Sequence, residues 1–500
     1  MNDAFSLSSH VVAASLGKSP EAFTKADLIR FIKENGIQMV NFMYPGGDGR
    51  LKTLNFVITN EAHLDAILTY GERVDGSSLF SFVEASGSDL YVIPRFRTAF
   101  VDPFSEIPTL ALLCSFFDKD GQPLESAPEY TLQKACEAFT AVTGMTFQAM
   151  GELEYYVIAP ETEGFVAADQ RGYHESGPFS RFNAFRAACL HTIAKVGGHV
   201  KYGHSEVGNF TQDGNVYEQN EIEFLPVHAM DAADQLVVAK WIIRNLAHAH
   251  GVYVTFAPKI TVGKAGSGLH VHMRLVQDGV NQMIEDGKLS PHARRAIAGM
   301  MTLAPSITAF GNAIPTSYFR LVPHQEAPTR VCWGDRNRSV LVRVPLGWTT
   351  GNDLCAAANP CESPTPVQTA DKQTVEMRSP DGSADPYQLL ASLAVACRHG
   401  FEMQDALDVA DRTYVSVNIH QEANASLADS LSQLPDCCAD SADCLLRHRS
   451  IYEAHGVFSP GMIDAIIDRL KAFEDKGLRE AMMKKPEALR ALVDRHLNCG

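Results

Sequence analysis

Four short segments place ionisable or metal-ligating side chains at every second position, with apolar residues between them, and this alternation constrains the fold most strongly. In Gly151–Val157, Glu152 and Glu154 share one face while Leu153, Tyr155 and Val157 take the other. In Gly268–Leu275, His270, His272 and Arg274 oppose Leu269, Val271, Met273 and Leu275. Glu221-Ile222-Glu223-Phe224 and Val375-Glu376-Met377-Arg378 repeat the pattern. Period two is the signature of a strand, whose successive side chains point to opposite faces. One such strand is an ordinary half-solvated one. Four together, bearing Glu and His rather than Lys, Thr and Ser, predict faces that converge on a shared interior.

Carboxylates gathered in an interior repel one another and lose hydration unless cations neutralise them. A carboxylate-rich set with an imidazole favours Mg²⁺ or Mn²⁺ over structural zinc. Two such ions suit phosphoryl chemistry, where they screen negative oxygens. Arg320, Arg330, Arg336, Arg338 and Arg343, with Arg378 beyond, supply guanidinium forks that bind carboxylate and phosphate; surface ion pairing claims Arg330 and Arg336. Gly263-Lys264-Ala265-Gly266-Ser267-Gly268 is neither a P-loop nor a dinucleotide fingerprint, because no Ser or Thr follows Lys264 and a strand, not a helix, comes next.

Lys and Arg number 43 against 59 Asp and Glu, a net charge of −16, which excludes a protein that grips nucleic acid through its phosphates. No apolar run approaches the roughly 18 residues of a membrane span, and the acidic start without a basic region is not a signal peptide. Eleven scattered cysteines read as reduced thiols of a cytoplasmic protein. Cys437, Cys438 and Cys444 lack the paired spacing of a zinc site.

Thr24 and Asp27 frame a capped first helix with Leu28, Phe31 and Ile32 on its apolar face. Strands are expected over Met39–Met43, Leu51–Ile58 and Thr109–Phe117, and helices over Leu132–Val142, Leu236–Leu246 and Met462–Phe473. The domains are expected at residues 1–125 and 126–500, with a structureless loop or lid over Gly347–Lys372 and a mostly helical last hundred residues.

Nine motifs in order carry a resemblance: Val74-Asp75-Gly76-Ser77-Ser78, Gly151-Glu152-Leu153-Glu154-Tyr155, His204-Ser205-Glu206-Val207, Gln219-Asn220-Glu221, Gly266 to His272, Arg320-Leu321-Val322-Pro323, Glu326-Ala327-Pro328, Arg336-Asn337-Arg338-Ser339, and Val375 to Arg378. From about residue 25 to 400 the chain resembles the glutamine synthetase family of γ-glutamyl ligases. The resemblance implies an α+β fold: a small N-terminal β-grasp-like domain and a larger catalytic domain with an antiparallel, barrel-like sheet flanked by helices. It implies ATP-dependent ligation of ammonia to the γ-carboxylate of glutamate through a γ-glutamyl phosphate, giving glutamine, ADP and phosphate.

By the same resemblance, Glu154, Glu206 and Glu221 hold one Mg²⁺ or Mn²⁺, and Glu152, His270 and Glu376 hold the second. Arg320 and Arg378 contact glutamate, with the Gly266 backbone near its amino group. Arg338, Arg343 and His272 face ATP. Asp75, Ser78, Tyr173, Glu206 and Glu326 form the ammonium pocket, with Asp75 helping to deprotonate ammonium and Glu326 closing the site. The resemblance further implies a homo-oligomer of stacked rings, with active sites between subunits.

The match has departures. Ala265 stands where the family usually has Asn, and Arg274 replaces a small residue, either reaching the phosphates or packing at the strand end. Asn209–Tyr217 reads as an insertion and Gly347–Lys372 as an expanded loop. Tyr414 lies near the region of a regulatory tyrosine in some bacterial members, but its surroundings differ. Ligation of an organic amine is the alternative to ammonia; retention of Asp75, Ser78 and Tyr173 favours ammonia. A non-catalytic structural relative and a metallohydrolase are the remaining readings, and six retained ligands argue against the first.

Overall fold

Thr24 accepts a hydrogen bond from the Asp27 amide while the Asp27 carboxylate accepts one from the Thr24 amide, closing the expected capping box. The computed structural model describes residues 8–80, 83, 88–165, 167–322, 327–345, 353–365, 370–482 and 485–500. A short helix α1 (Val11–Leu16) precedes the capped helix α2 (Lys25–Glu34). Six residues span too few turns to display a helical period, so α1 was not legible beforehand.

The chain continues through β1 (Met39–Pro45), β2 (Leu51–Val57), α3 (Glu61–Tyr70), β3 (Glu72–Asp75), β4 (Asp89–Pro94), β5 (Phe100–Val101) and β6 (Thr109–Phe117). The sheet runs β2-β1-β6-β4-β3, with β5 also on β6. β1 and β6 are parallel and the other pairs antiparallel. The unbroken apolar run of β6 follows from burial on both faces. Leu110, Leu112, Cys114 and Phe116 join the core beneath α2 and α3, whereas Ala111 and Leu113 join the core of the rest of the molecule. Arg95, just after β4, is a second fastening: it donates to both oxygens of Asp234 at 2.7 and 2.8 Å.

The larger part begins with α4 (Pro128–Thr143), β7 (Thr146–Pro160), α5 (Asn183–Lys195), β8 (Val200–Gln212), β9 (Asn215–Phe224), β10 (Val227–His228), α6 (Ala229–Ala249), β11 (Tyr253–Thr255), β12 (Leu269–Gln277) and β13 (Val280–Asn281). After the small hairpin of β14 (Ile284–Glu285) and β15 (Lys288–Leu289) come α7 (Pro291–Gly311), α8 (Ser317–Arg320), β16 (Trp333–Asp335), β17 (Val342–Val344), α9 (Leu354–Ala358) and β18 (Val375–Met377). Helices α10 (Pro386–Glu402), α11 (Ala406–Arg412), α12 (Ala425–Ser430), α13 (Cys438–Glu453), α14 (Pro460–Lys471), α15 (Leu478–Met482) and α16 (Pro486–His496) close the chain, as the helical patterning predicts.

The second sheet runs β16-β17-β18-β12-β7-β9-β8 and curls into a half-barrel. It is antiparallel except at β16–β17. Leu153, Tyr155, Val157, Leu269, Val271, Met273 and Leu275 are all buried in the core shared with α4, α6, α7 and α10. The alternating acids and histidines therefore face the hollow of the sheet. Behind it α7 and α10 approach so closely that a Cβ on Gly299 would collide with the Ala396 carbonyl, and one on Gly400 with that of Arg295.

Neither segment read as a departure is a bare loop. Asn209–Tyr217 is the end of β8, a two-residue turn and the start of β9. Asp213 and Gly214 both have positive φ, 52° and 73°, as a turn between twisted antiparallel strands requires. The stretch over 347–372 is not structureless either; it contains α9 and a 3₁₀ turn at Ala370–Lys372, while 347–352 and 366–369 lie outside the described residues. Asp353 caps α9 by accepting from the Ala356 amide, a local signal that the loop-like composition obscured. Among the described residues no helix is long and apolar enough to cross a membrane.

Candidate active site

The hollow of the half-barrel is a cavity of about 1010 Å³. Adjacent strands β7, β12 and β18 bring Glu152, His270 and Glu376 together, with one ligand atom from each within 4.8 Å of the others. Register explains this: His270 lies opposite Glu152, and His272 opposite Glu376. His270 Nδ1 lies 3.1 Å from Glu152 Oε2 and 3.7 Å from Glu376 Oε1.

A second group, His204, Glu206 and Glu221, meets the same 4.8 Å limit, as does a third, Glu152, Glu221 and Glu223. Glu206 reaches its place through a bulge. Between the pairs Ser205–Asn220 and Asn209–Glu218, β8 carries two more residues than β9. Gly208 permits it: a Cβ there would run into the Tyr156 hydroxyl and the Gln219 amide.

Glu154 was expected beside Glu206 and Glu221; the residue that meets the 4.8 Å limit with those two is His204, with Nε2 3.4 Å from Glu221 Oε1, while Glu154 is near enough to repel the Glu221 carboxylate. Glu154 Oε2 instead accepts from the Gly268 amide at 2.8 Å and Gln219 Nε2 at 2.9 Å, while Oε1 lies 3.8 Å from His270 Nε2. His204 had been visible only as a neighbour of Glu206 in its motif. Glu223, seen only as part of an alternating strand, is ion-paired with Lys201 at 2.5 Å.

The electrostatics favour a cation. Burial, and then repulsion from Glu152, Glu154, Glu206 and Glu223, hold the Glu221 carboxyl well above the usual range. Burial also opposes ionisation of Glu152, but attraction to His272 and the hydrogen bonds of both imidazoles outweigh it and hold that carboxyl low. Burial lowers His204, leaving it the neutral imidazole a metal requires. Oxygen-rich sets with single imidazoles suit Mg²⁺ or Mn²⁺. By that chemistry the residues fit divalent ions.

Arginines line another part of the cavity wall. Arg343 Nη1 donates to Glu376 at 3.0 Å and Arg378 Nε does so at 3.1 Å. Arg320 is buried, donating to the Ser379 carbonyl at 2.8 Å and lying 3.2 Å from His270 Nε2. Arg338 also lines the cavity, and its carbonyl accepts from Arg378. Gly266 borders the cavity, its carbonyl held by Gln219 at 2.9 Å. His272, expected on the nucleotide side, spans 2.8 Å contacts to Glu152 Oε1 and to the Thr374 hydroxyl. Arg330 pairs with Asp429 at 3.1 Å instead, and Arg336 is exposed.

The expected ammonium-pocket residues are not all brought together in one chain. Tyr173 lines the cavity and stacks on His174 at 4.1 Å, with His204 behind it. Asp75 and Ser78 stand exposed at the edge strand of the N-terminal sheet, away from this cavity. Hydrogen bonds from Ser77 and Ser78 hold the Asp75 carboxyl down at about 2. Glu326 lies outside the described residues. At the cysteine group, burial pushes the Cys437 thiol up to about 12 and its sulfur accepts from the Asp440 amide; Asp436, Cys437 and Asp440 also bring one ligand atom each within 4.8 Å of the others.

The models of two families match the chain: glutamine synthetase, catalytic domain, over residues 125–485, and glutamine synthetase, beta-Grasp domain, over residues 36–119. A glutamine synthetase of Clostridium saccharobutylicum is 29% identical over 388 residues, covering 76% of this chain and 80% of its own. A 3-hydroxylaminophenol mutase of Cupriavidus pinatubonensis is 28% identical, covering 89% and 94%. Among solved structures, a GmaS–ADP complex superposes with a TM-score of 0.71 at 20% identity, covering 90% of this chain and 96% of its own.

Proposed function

The chain belongs to the glutamine synthetase family, whose members are ATP-dependent ligases of glutamate, and from that premise we propose that it joins ammonia to the γ-carboxylate of L-glutamate. The observation that carries the reading is the convergence of two carboxylate–imidazole groups in one cavity with Arg320, Arg338, Arg343 and Arg378. A carboxylate does not react with an amine until one oxygen becomes a leaving group. ATP supplies that group as phosphate, forming γ-glutamyl phosphate and ADP; ammonia then attacks and phosphate departs.

Arg320 and Arg378 bind the carboxylates of glutamate, and the Gly266 backbone receives its amino group. Arg338 and Arg343 face the phosphates, Arg338 beside the one transferred, while His272 stands on the nucleotide side. Glu152, His270 and Glu376 would hold one divalent ion; Glu206 and Glu221, with Glu154 through Oε1 and His204 beside them, would hold another. Such ions, Mg²⁺ or Mn²⁺, would neutralise the charge that builds on phosphate oxygens.

Ammonium must lose a proton before it can attack. Asp75, Ser78, Tyr173, Glu206 and Glu326 are assigned to that pocket, with Asp75 as base and Glu326 as its cover. Exposure of Asp75 and Ser78 on an edge strand suits delivery to a neighbouring copy, and we assign a homo-oligomer of stacked rings with shared sites. We place the domain boundary at residue 125, before α4, and the protein in the cytoplasm, where its eleven free thiols would stay reduced.

One observation favours an organic amine as the alternative acceptor: Tyr173, His204 and exposed Tyr202 line the cavity beside Glu206 and, clustered with the ring of His174, offer ring surface. The test is product identification by mass after incubation with glutamate, ATP and Mg²⁺, comparing ammonium with methylamine, ethanolamine and putrescine. Glutamine formed only with ammonium supports the reading. A γ-glutamyl amide in preference to glutamine overturns it.

A further inference from the structure

The segment that carries Tyr173 holds two non-glycine residues in the left-handed region, Gln170 with φ 57° and His174 with φ 58°. A residue with a Cβ adopts that backbone at a cost, and keeps it only where its surroundings enforce it. At Gln170 the enforcement comes from β8. The Gln170 amide donates to the carbonyl of buried Asn209 at 2.9 Å, and Nε2 donates to the same oxygen at 3.4 Å. Its side-chain amide is thereby oriented, and Oε1 is left to accept from the Ala265 amide at 2.7 Å.

Ala265 belongs to a loop that no strand or helix supports, Lys264-Ala265-Gly266. Its three carbonyls are held by side chains from elsewhere: that of Lys264 by Lys259 at 2.6 Å, that of Ala265 by the Tyr156 hydroxyl at 2.8 Å, and that of Gly266 by Gln219 at 2.9 Å. Alanine, standing where the family usually has Asn, brings no polar side chain to shape the loop from within. Gln170 supplies the bond to the Ala265 amide from outside, and its neighbour Asp169 pairs with Lys264. The Lys264 ammonium in turn lies 5.7 Å from the centre of the Phe210 ring, which stacks on Tyr217 across the β8–β9 hairpin at 4.6 Å. Two consecutive residues thus fasten two consecutive residues of the loop, offsetting the entropy lost in ordering it.

We propose that Gln170 is a positioning residue for glutamate: through Ala265 it fixes the Gly266 backbone at the place where the amino group of the substrate is received. This rests on the ligase reading, which assigns Gly266 and Arg320 to glutamate. The two are packed together, since a Cβ on Gly266 would stand 2.5 Å from the Pro258 carbonyl and 3.0 Å from the Arg320 side chain. A displaced loop would therefore disturb both contacts to the same substrate. The residues assigned to ATP lie on other elements, so the nucleotide should not sense Gln170.

The test measures equilibrium binding of glutamate to the intact protein with Mg²⁺ and a non-hydrolysable ATP analogue, KM for glutamate and for ATP, and the unfolding temperature. It compares wild type with Gln170→Gly, Gln170→Asn and Gln170→Glu. Glycine and asparagine both accept a positive φ, so neither substitution strains the backbone, yet glycine removes the acceptor and asparagine withdraws it by one carbon. Each is expected to raise Kd and KM for glutamate roughly tenfold, the scale of one lost hydrogen bond together with the amide it leaves unpaired. KM for ATP should stay within about twofold, since no bond to the nucleotide is lost. The unfolding temperature of Gln170→Gly should not fall. Gln170→Glu, which keeps the acceptor oxygen and gives up only the 3.4 Å bond, should recover most of the affinity.

Unchanged glutamate affinity in both Gln170→Gly and Gln170→Asn overturns the inference, as does a parallel rise in KM for ATP or a Gln170→Glu protein no better than Gln170→Gly. If wild type binds glutamate but forms no γ-glutamyl product, the ligase reading fails while the Kd comparison still decides the role of Gln170. Wild type that binds no glutamate overturns both.

Discussion

Arg95 and Asp234 meet through two parallel hydrogen bonds of 2.7 and 2.8 Å, joining the end of β4 to α6. Tyr387 on α10 adds a third bond to the same carboxylate at 2.6 Å, so one acid ties together the N-terminal sheet and two helices of the larger part. Removing the acid alone would leave a buried guanidinium without its counter-charge. Asp234→Ala should therefore cost about 3–5 kcal/mol and lower the unfolding temperature sharply, as measured by calorimetry. A shift no larger than that of an exposed pair such as Lys119–Asp120 would contradict the clasp.

Beside this clasp, burial pushes the Glu129 carboxyl up to about 7, against the partial opposition of the Phe116 amide it accepts from and of Arg95. Its folded value is above the ordinary 4.5, so the native state binds more protons than the unfolded chain between those two values. Stability should consequently fall as pH rises from about 4.5 to about 7, with no further loss from this group above that. Glu129→Gln should flatten that portion of the unfolding-temperature profile and stabilise the protein at pH 8. An unchanged slope would refute the assignment.

The crowding around Glu221 predicts opposite effects in two conditions. In protein stripped by a chelator, Glu221→Gln should raise the unfolding temperature, because a carboxyl whose ionisation burial and four neighbouring carboxylates oppose is replaced by a neutral amide. With Mg²⁺ or Mn²⁺ added, the variant should lose most of the metal-induced stabilisation and at least about 100-fold of turnover, since liganding groups commonly contribute that much. Glu376→Ala should likewise abolish turnover while leaving the assembly intact. Wild-type activity in either variant would sink the metal assignment.

Sharing of the site between copies is testable by mixing. Asp75→Asn and Glu376→Ala should each be inactive, yet co-expressed copies should regain activity, because a neighbour's Asp75 can serve an intact Glu376 site. Mixtures that remain as inactive as the separate variants would place both residues in the same chain's site.

The approach of α7 to α10 leaves no room at Gly299 for a methyl group beside the Ala396 carbonyl. Gly299→Ala should destabilise by about 1–3 kcal/mol through overpacking, despite the better helix propensity of alanine. Chemical denaturation would show it; a stabilised variant would mean that the helices can separate at little cost.

The period-two face of β7 and β12, the run of β6 and the cap of α2 were all legible in the sequence, because each is set by residues within a few positions of one another. The turn of the hairpin over Asn209–Tyr217 has a local signal too, since Asp213-Gly214 supplies the positive φ that closes it. Helix α9 was missed because its five residues sit among Asn, Pro and Thr.

By itself the sequence determined which residues face the hollow: alternation assigns Glu152, Glu154, His270, His272 and Glu376 to one side whatever the strands pair with. Only the tertiary structure decided which of them meet. The bulge of two residues in β8 sets Glu206 and His204 against Glu221, and the Gly268 amide draws off one oxygen of Glu154. The register of β7 on β12 depends on segments over a hundred residues apart, such as Glu152 with His270, and the bulge on how β8 pairs with β9; local periodicity carries no information about either.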